Sequence, residues 1–240
     1  TAAPVSASGN NIYVLHHNAP ASTATHPSAQ DLTAANATLT GDVTVGSGTA
    51  ADRKIVFDGN AQDYHIGLDD SADSLIIGKG SALGTTSHIV TDENGHVTMP
   101  LQSCFQAKPT NDQNNITADS LTDIVLDDER FDINGDFASN TFTAPLTGKY
   151  LLTASIRLHD IDSAGSYIYI YLATSNQNYQ NIHSSNRYSG DLSYHTLTIT
   201  AVADMDASDT AKMKLYFSSD SANQVDVDNG GTHFSGCLIA

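Results

Sequence analysis

The residues best equipped for chemistry in this sequence are its carboxylates and imidazoles. Of 27 Asp and Glu only Glu93 and Glu129 are Glu, and ten His are scattered along the chain. Paired carboxylates could serve as general acid and base, and Asp69–Asp70 and Asp127–Asp128–Glu129 are dense enough to raise the question. Neighbours on a strand point to opposite faces, whereas an acid and a base must face one bond, so no positioned pair emerges and the reading is a non-enzyme. "HHNAPASTATH" (16–26) has metal-ligating content without the short ordered spacing of a zinc site, and reads as a solvated segment. "DMDASD" (204–209) and "DVDNGG" (226–231) resemble fragments of calcium loops but lack the spaced ligands and closing Glu, and taken singly they read as turns. "GKGSALGTT" (78–86) imitates a phosphate loop, which needs a strand before it and a helix after it; nothing helical follows Gly84. Asn36 and Asn115 open glycosylation sequons of the kind that arise by chance.

Charge narrows the partners. A formal net charge of −17 with only 10 Lys and Arg repels polyanions, which excludes nucleic-acid binding. No apolar run approaches the roughly 20 residues of a membrane-spanning helix, so a soluble chain without membrane insertion is expected. Two cysteines in 240 residues exclude a disulfide-built scaffold. Asp in place of Glu favours turns and caps over helix interiors, and so loops and strands over helices.

The elements that must position any site fall into three zones. Residues 1–40 are rich in Ala, Ser, Thr, Asn and His, with Pro4, Pro20 and Pro27, and read as an extended N-terminal arm. One short helix is conceivable in "SAQDLTAANATL" (28–39), where Ser28 and Asp31 have capping-box spacing. Residues 41–100 hold short β-type runs closed by Gly, Asp or Asn, recurring about every ten residues: "GDVTVGSG", "KIVFDGN", "YHIGLDDS", "LIIGKGS", "HIVTDENG" and "HVTM". Such runs bury no core alone, and the expectation is that chains wrap around each other to pair the strand edges. With "IVFDGNAQDYHIGLDDSADSLIIGKGS" and "DENGHVTMP" this zone resembles the trimeric β-stem of a bacteriophage fibre.

Residues 101–240 carry longer alternating strands, predicted at "SCFQAK", "LTDIVLD", "NTFTAP", "KYLLTASIRLHD", "SYIYIYLATS", "YQNIHSSN", "YHTLTITAVAD", "AKMKLYFSS" and "HFSGCLIA". Tyr150, Leu152, Ala154, Ile156 and Leu158 share one face, as do Leu197, Ile199 and Ala201, which points to an antiparallel sandwich or jelly roll. Pro145 and Gly148 are expected to form a tight turn between two strands, flanked by Phe142 and Tyr150. Phe142, Gly148 and Tyr150 have the Phe, five residues, Gly, one residue, Tyr spacing of the globular heads of complement's first component and the wider tumour necrosis factor superfamily. "CFQAK" and "HFSGCLIA" look like that family's first and last strands. Leu152 and Ala154 stand where its aromatics are usual, so the resemblance is that of a remote relative. It implies an all-β, Greek-key, jelly-roll head that trimerises. It also makes the first and last strands neighbours, so Cys104 and Cys237 either lie together on one face or stand as two independent small hydrophobes, and stay thiols in a reducing cytosol.

The functional expectation is a homotrimeric virion protein without catalysis, a phage fibre or capsid-decorating spike. Its arm would bind capsid or tail proteins of the virion and its head would meet a glycan or protein of the host surface. The alternative is a secreted bacterial adhesin or lectin with the same head, and behind it a polysaccharide depolymerase. If strands run up and down from the stem, the distal loops are 159–166, 187–192 and 219–231. They collect Asp160, Asp162, Asp191, Asp220, Asp226 and Asp228 beside Arg187, Tyr188 and Asn229. Arg187, Tyr188, Asp191 and Asn229 are the candidate receptor contacts, since aromatic and polar loop residues make adaptable surfaces. Asp160, Asp162, Asp226 and Asp228 are the candidate metal ligands, because like charges gathered at a trimer apex suit calcium. Solvated Asp-rich turns, spread apart, are the plainer account.

Overall fold

The computed structural model describes residues 35–219 and 225–240. The chain divides into two units, residues 1–44 and 45–240. Described residues of the first unit, 35–44, are exposed and without regular structure. Most of the segment read as a candidate helix lies outside the described residues, and its end at 35–39 is not helical.

The second unit opens with five short strands: β1 (Arg53–Phe57), β2 (Tyr64–Asp69), β3 (Ser74–Lys79), β4 (Ser87–Thr91) and β5 (Val97–Thr98). They pair in sequence order as one antiparallel meander. This corrects the expectation that these strands need sister chains for their edges: turns of a few residues let each strand fold back on its predecessor, leaving only β1 and β5 with an open edge. "GDVTVGSG" forms no strand. What the meander leaves unsatisfied is a face. His65, Gly67, Ile76 and Gly78 point to one side, beneath the 80–86 turn, where a Cβ on Gly67 would meet Leu83 Cδ1 at 2.5 Å and one on Gly78 would meet Thr86 O at 2.6 Å. On the other side the register stacks Ile55, Ile66, Ile77 and Ile89 in one rung, Leu68, Leu75, Thr91 and Val97 in the next, and Phe57 beside Tyr64 in a third. Ile55, Phe57, Tyr64, Ile66, Leu68, Leu75, Ile77 and Val97 are between 37% and 60% exposed.

The remaining strands are β6 (Cys104–Lys108), β7 (Gln113–Ile116), β8 (Leu121–Asp123), β9 (Asp128–Ile133), β10 (Phe137–Ala138), β11 (Thr141–Thr143), β12 (Gly148–Ile161), β13 (Tyr167–Thr174), β14 (Asn178–His183), β15 (Leu192–Met205), β16 (Thr210–Ser218) and β17 (Val225–Leu238). One sheet runs β15-β12-β17-β6-β9 with β7 beside β17; the other runs β10-β11-β16-β13-β14 with β8 beside β16. The chain changes sheet between β7 and β8, β8 and β9, β9 and β10, β11 and β12, β12 and β13, β14 and β15, β15 and β16, and β16 and β17, which is the wrapping of an all-β antiparallel jelly roll. The only helical turn among the described residues is a 3-10 turn at Ser185–Arg187.

The alternation read from β12 holds: Tyr150, Leu152, Ala154, Ile156 and Leu158 are fully buried. Around them, Phe105 stacks on Phe142 and Phe137 with ring centroids 4.6 and 5.1 Å away and meets Phe234 edge-on at 5.0 Å. Gly236 makes room for this cluster, since a Cβ there would stand 2.4 Å from Leu152 Cδ2 and 2.9 Å from Phe105 Cε1. The turn after Pro145 is not a hairpin: β11 and β12 belong to different sheets, and the turn carries the chain across the sandwich, held by the Tyr150 hydroxyl donating to Leu146 O at 2.8 Å. Cys104 and Cys237 are paired directly across β6 and β17 as free thiols, and burial followed by the neighbouring Cys237 pushes the Cys104 thiol up.

Candidate functional site

Entry to the head and its distal loops lie at opposite ends. Cys104 pairs with Cys237 near the entry, while Ile161 of β12 pairs with Leu192, and His159 with Asp226, at the far end. The connections 162–166 and 184–191 therefore emerge together at the far end, beside the start of β17. The third expected loop, 219–231, is shorter than read, because 225–231 belong to β17; residues 220–224, with Asp220, lie outside the described residues.

Two of the four receptor candidates present themselves. Arg187 and Tyr188 are exposed at the end of the 3-10 turn, and Tyr188 stacks on His183 with centroids 5.5 Å apart. The other two are committed to the architecture. Asp191 Oδ1 accepts from the Ser163 N–H and hydroxyl, both at 2.9 Å, tying the two loops together; the same bonds hold its carboxyl below the usual range. Asn229 donates its side-chain amide to Thr110 O and its N–H to Asp112 Oδ1, both at 2.8 Å.

The four metal candidates also divide. Asp162 Oδ1 accepts from the Ala164 N–H of its own turn at 2.8 Å. Asp228 Oδ1 receives Arg157 Nε at 2.7 Å, a second guanidinium contact, and the N–H groups of Gly230 and Gly231 at 2.7 and 3.0 Å. Burial acts to raise the Asp228 carboxyl, but the Arg157 bond and those N–H groups outweigh it and hold it below the usual range. Asp160 and Asp226 come together, with His159 between them.

His159, Asp112, Arg157 and the pair His183–His195 were not singled out from the sequence. A signal existed for His195, which has the inward parity of Leu197 and Ile199; none existed for the pairing across sheets. His195 of β15 meets His183 of β14 between the two sheets, ring centroids 3.9 Å apart, in a row where Asn181 and Tyr179 also reach from β14 to β15 backbone carbonyls. Burial lowers both imidazoles, and His195 lowers His183 further. A base whose folded value is depressed binds protons more readily when unfolded, so its contribution is intact above pH 6.5 and is lost as pH falls from there through the folded value. Acidification should therefore lower the melting temperature and lower the amide protection of β14, measured against the intrinsic exchange rate at each pH. His195→Asn, which keeps a polar group without the charge, should flatten the pH dependence; an unchanged profile would assign the acid sensitivity elsewhere.

No protein-family pattern matches this sequence, and no curated protein matches it. Among solved structures, the globular domain of zebrafish complement 1qA protein is similar over 58% of this chain and 98% of its own, with 12% identity and a TM-score of 0.43. Murine APRIL at pH 5.0 is similar over 57% of this chain and 99% of its own, with 14% identity and a TM-score of 0.42. A second murine APRIL structure, at pH 8.0, gives 13% identity and a TM-score of 0.43.

Proposed function

We propose that this chain is a homotrimeric virion spike or fibre whose head contacts the host surface through its distal loops, without catalysis. One observation carries the reading: the uncovered apolar face of the β1–β5 sheet. Eight large side chains left about half exposed forgo roughly 1 kcal/mol each, a total on the order of 8 kcal/mol per chain that association recovers in part. Three such faces turned toward a common axis form a closed assembly with no sheet left uncovered. The order of parts supports a projecting role, because the apolar-faced sheet comes first and the loops lie at the head's end remote from it. The N-terminal arm, in this reading, anchors the trimer to capsid or tail proteins, and the partner is a host glycan or protein. Three copies of a weak site at one end gain avidity against a repetitive surface.

Arg187→Ala with Tyr188→Ala should reduce adsorption of particles to host cells about tenfold or more while leaving the sedimentation of the purified trimer unchanged, as removing an aromatic and Arg pair from a contact surface predicts. Undiminished adsorption would place the contact on the sides of the head or the stem. Absence of the chain from purified particles would remove the virion reading itself.

A further inference from the structure

At the distal end of the sheet containing β12 and β17, one imidazole stands among three carboxylates in a geometry that points to a ligand. His159 and Asp226 are directly opposed across these strands and share a face. Asp160 should by strand alternation point away. Its φ of 50° instead places it in the left-handed region, and its Oδ2 lies 3.2 Å from His159 Nδ1. Asp226 Oδ2 lies 3.9 Å from the same nitrogen, and one ligand atom from each of the three residues lies within 4.8 Å of the others. Ligand atoms around a tetrahedral ion with bonds of about 2.0–2.2 Å stand roughly 3.4 Å apart, so the two measured separations from Nδ1 bracket the required spacing.

The surroundings orient these groups. Asp226 spends Oδ1 on the Asn115 N–H at 2.5 Å, which leaves Oδ2 for the cluster. On the other side of the ring, His159 Nε2 is buried and has no hydrogen-bond partner, with Asp112 Oδ2 3.9 Å away. Asp112 is fixed in turn, its Oδ1 accepting from the Asn229 N–H. An imidazole that gives Nδ1 to a metal and turns its remaining N–H toward a carboxylate is the arrangement by which outer groups fix tautomer and ring orientation. The donor set also selects the ion. Calcium prefers six to eight oxygens, whereas one imidazole nitrogen with two carboxylates suits a first-row divalent ion.

We propose that His159 Nδ1, Asp160 and Asp226 bind a divalent first-row cation, zinc fitting best, with Asp112 as the positioning carboxylate behind His159. The coordination is completed by water or by a group from the contacted surface, since Asp160 is 78% exposed and opens the site outward. The site lies within one chain and stands independently of the virion reading. It replaces the four-carboxylate calcium set expected from sequence, two of whose members are engaged elsewhere.

The test is calorimetric titration of zinc chloride, and in parallel calcium chloride, into the tag-free full chain stripped with EDTA. One zinc per chain is expected. Asp160→Asn, at an exposed side chain that cannot unfold the head, should weaken binding at least tenfold, His159→Asn at least a hundredfold, and Asp112→Asn about tenfold, with the wild-type X-ray absorption spectrum showing a single imidazole among oxygen donors. No saturable zinc binding, saturation by calcium alone, or zinc binding that survives both Asp160→Asn and His159→Asn would overturn the proposal. So would zinc binding lost only in His195→Asn, which would place the ion on the His183–His195 pair.

Discussion

Phe105→Ala will lower the melting temperature of the protein by roughly 10 °C. Phe105 is 1% exposed and touches the rings of Phe137, Phe142 and Phe234, so its removal takes out the centre of the aromatic cluster that joins the two sheets. Truncating a buried Phe costs about 3–5 kcal/mol, because the transfer energy is lost and the surrounding shell collapses only in part. Stacked and edge-on ring contacts add about 0.5–1.5 kcal/mol per pair. For a unit of this size each kcal/mol moves the midpoint by about 2–4 °C. Cys104→Ala is the matched control: the neighbouring residue, on the opposite face of β6, should shift the midpoint by no more than about 3 °C. Equal shifts for the two variants, followed by scanning calorimetry, would show that the parity of β6 is not as described.

Ile66→Asp will dissociate the proposed trimer and leave each chain folded. Ile66 lies between Ile55 and Ile77 in the middle rung of the apolar face and is 38% exposed in the single chain, so an aspartate there remains solvated while the chain stands alone. Association would bring three such carboxylates into an apolar interior, at a cost of several kcal/mol for each ion. Sedimentation equilibrium at micromolar concentration should give about three times 25.3 kDa for the unaltered protein and 25.3 kDa for the variant, with unchanged near-ultraviolet circular dichroism. A monomeric unaltered protein would remove the trimer. A trimeric variant would move the interface off this face.

Much of the fold was legible because strand alternation is a local property. Reading every second residue of β12 assigns Tyr150 to Leu158 to the core without knowing what they pack against, and the same reading places β6, β13, β15, β16 and the second half of β17, whose first half was read as loop. The strands that escaped were β7, β9 and β10. "QNNI" and "DERFDI" are polar segments with half-exposed patterns, and β10 is two residues long, so their pairing is supplied by neighbours rather than announced by hydrophobic period.

The candidate site divides along the same line. Asp160, Asp226, Asp228, Arg187 and Tyr188 were legible as members of one end of the head, because counting strand reversals is enough to sort loops by end. Which carboxylates meet was not. Asp228 faces Arg157 and Asp226 faces His159 through the register of β12 with β17, residues about 70 apart in the chain, and no sequence period reports a register between distant strands. Asp160 joins His159 only because its backbone turns left-handed, against the alternation that the sequence implies.

By itself, then, the sequence determined an all-β chain, acidic and rich in Asp where helices would use Glu, with the core parity of its long strands; that Cys104 and Cys237 lie side by side was one of two readings the resemblance left open. Tertiary structure alone decided that the short strands pair within one chain and leave a face uncovered in place of edges, that the turn after Pro145 crosses between sheets, and which side chains share the distal cluster. The physical reason is range: alternation, turn chemistry and charge act between residues close in sequence, whereas register, sheet assignment and the meeting of His159 with Asp226 are fixed by contacts that exist only once the whole sandwich has closed.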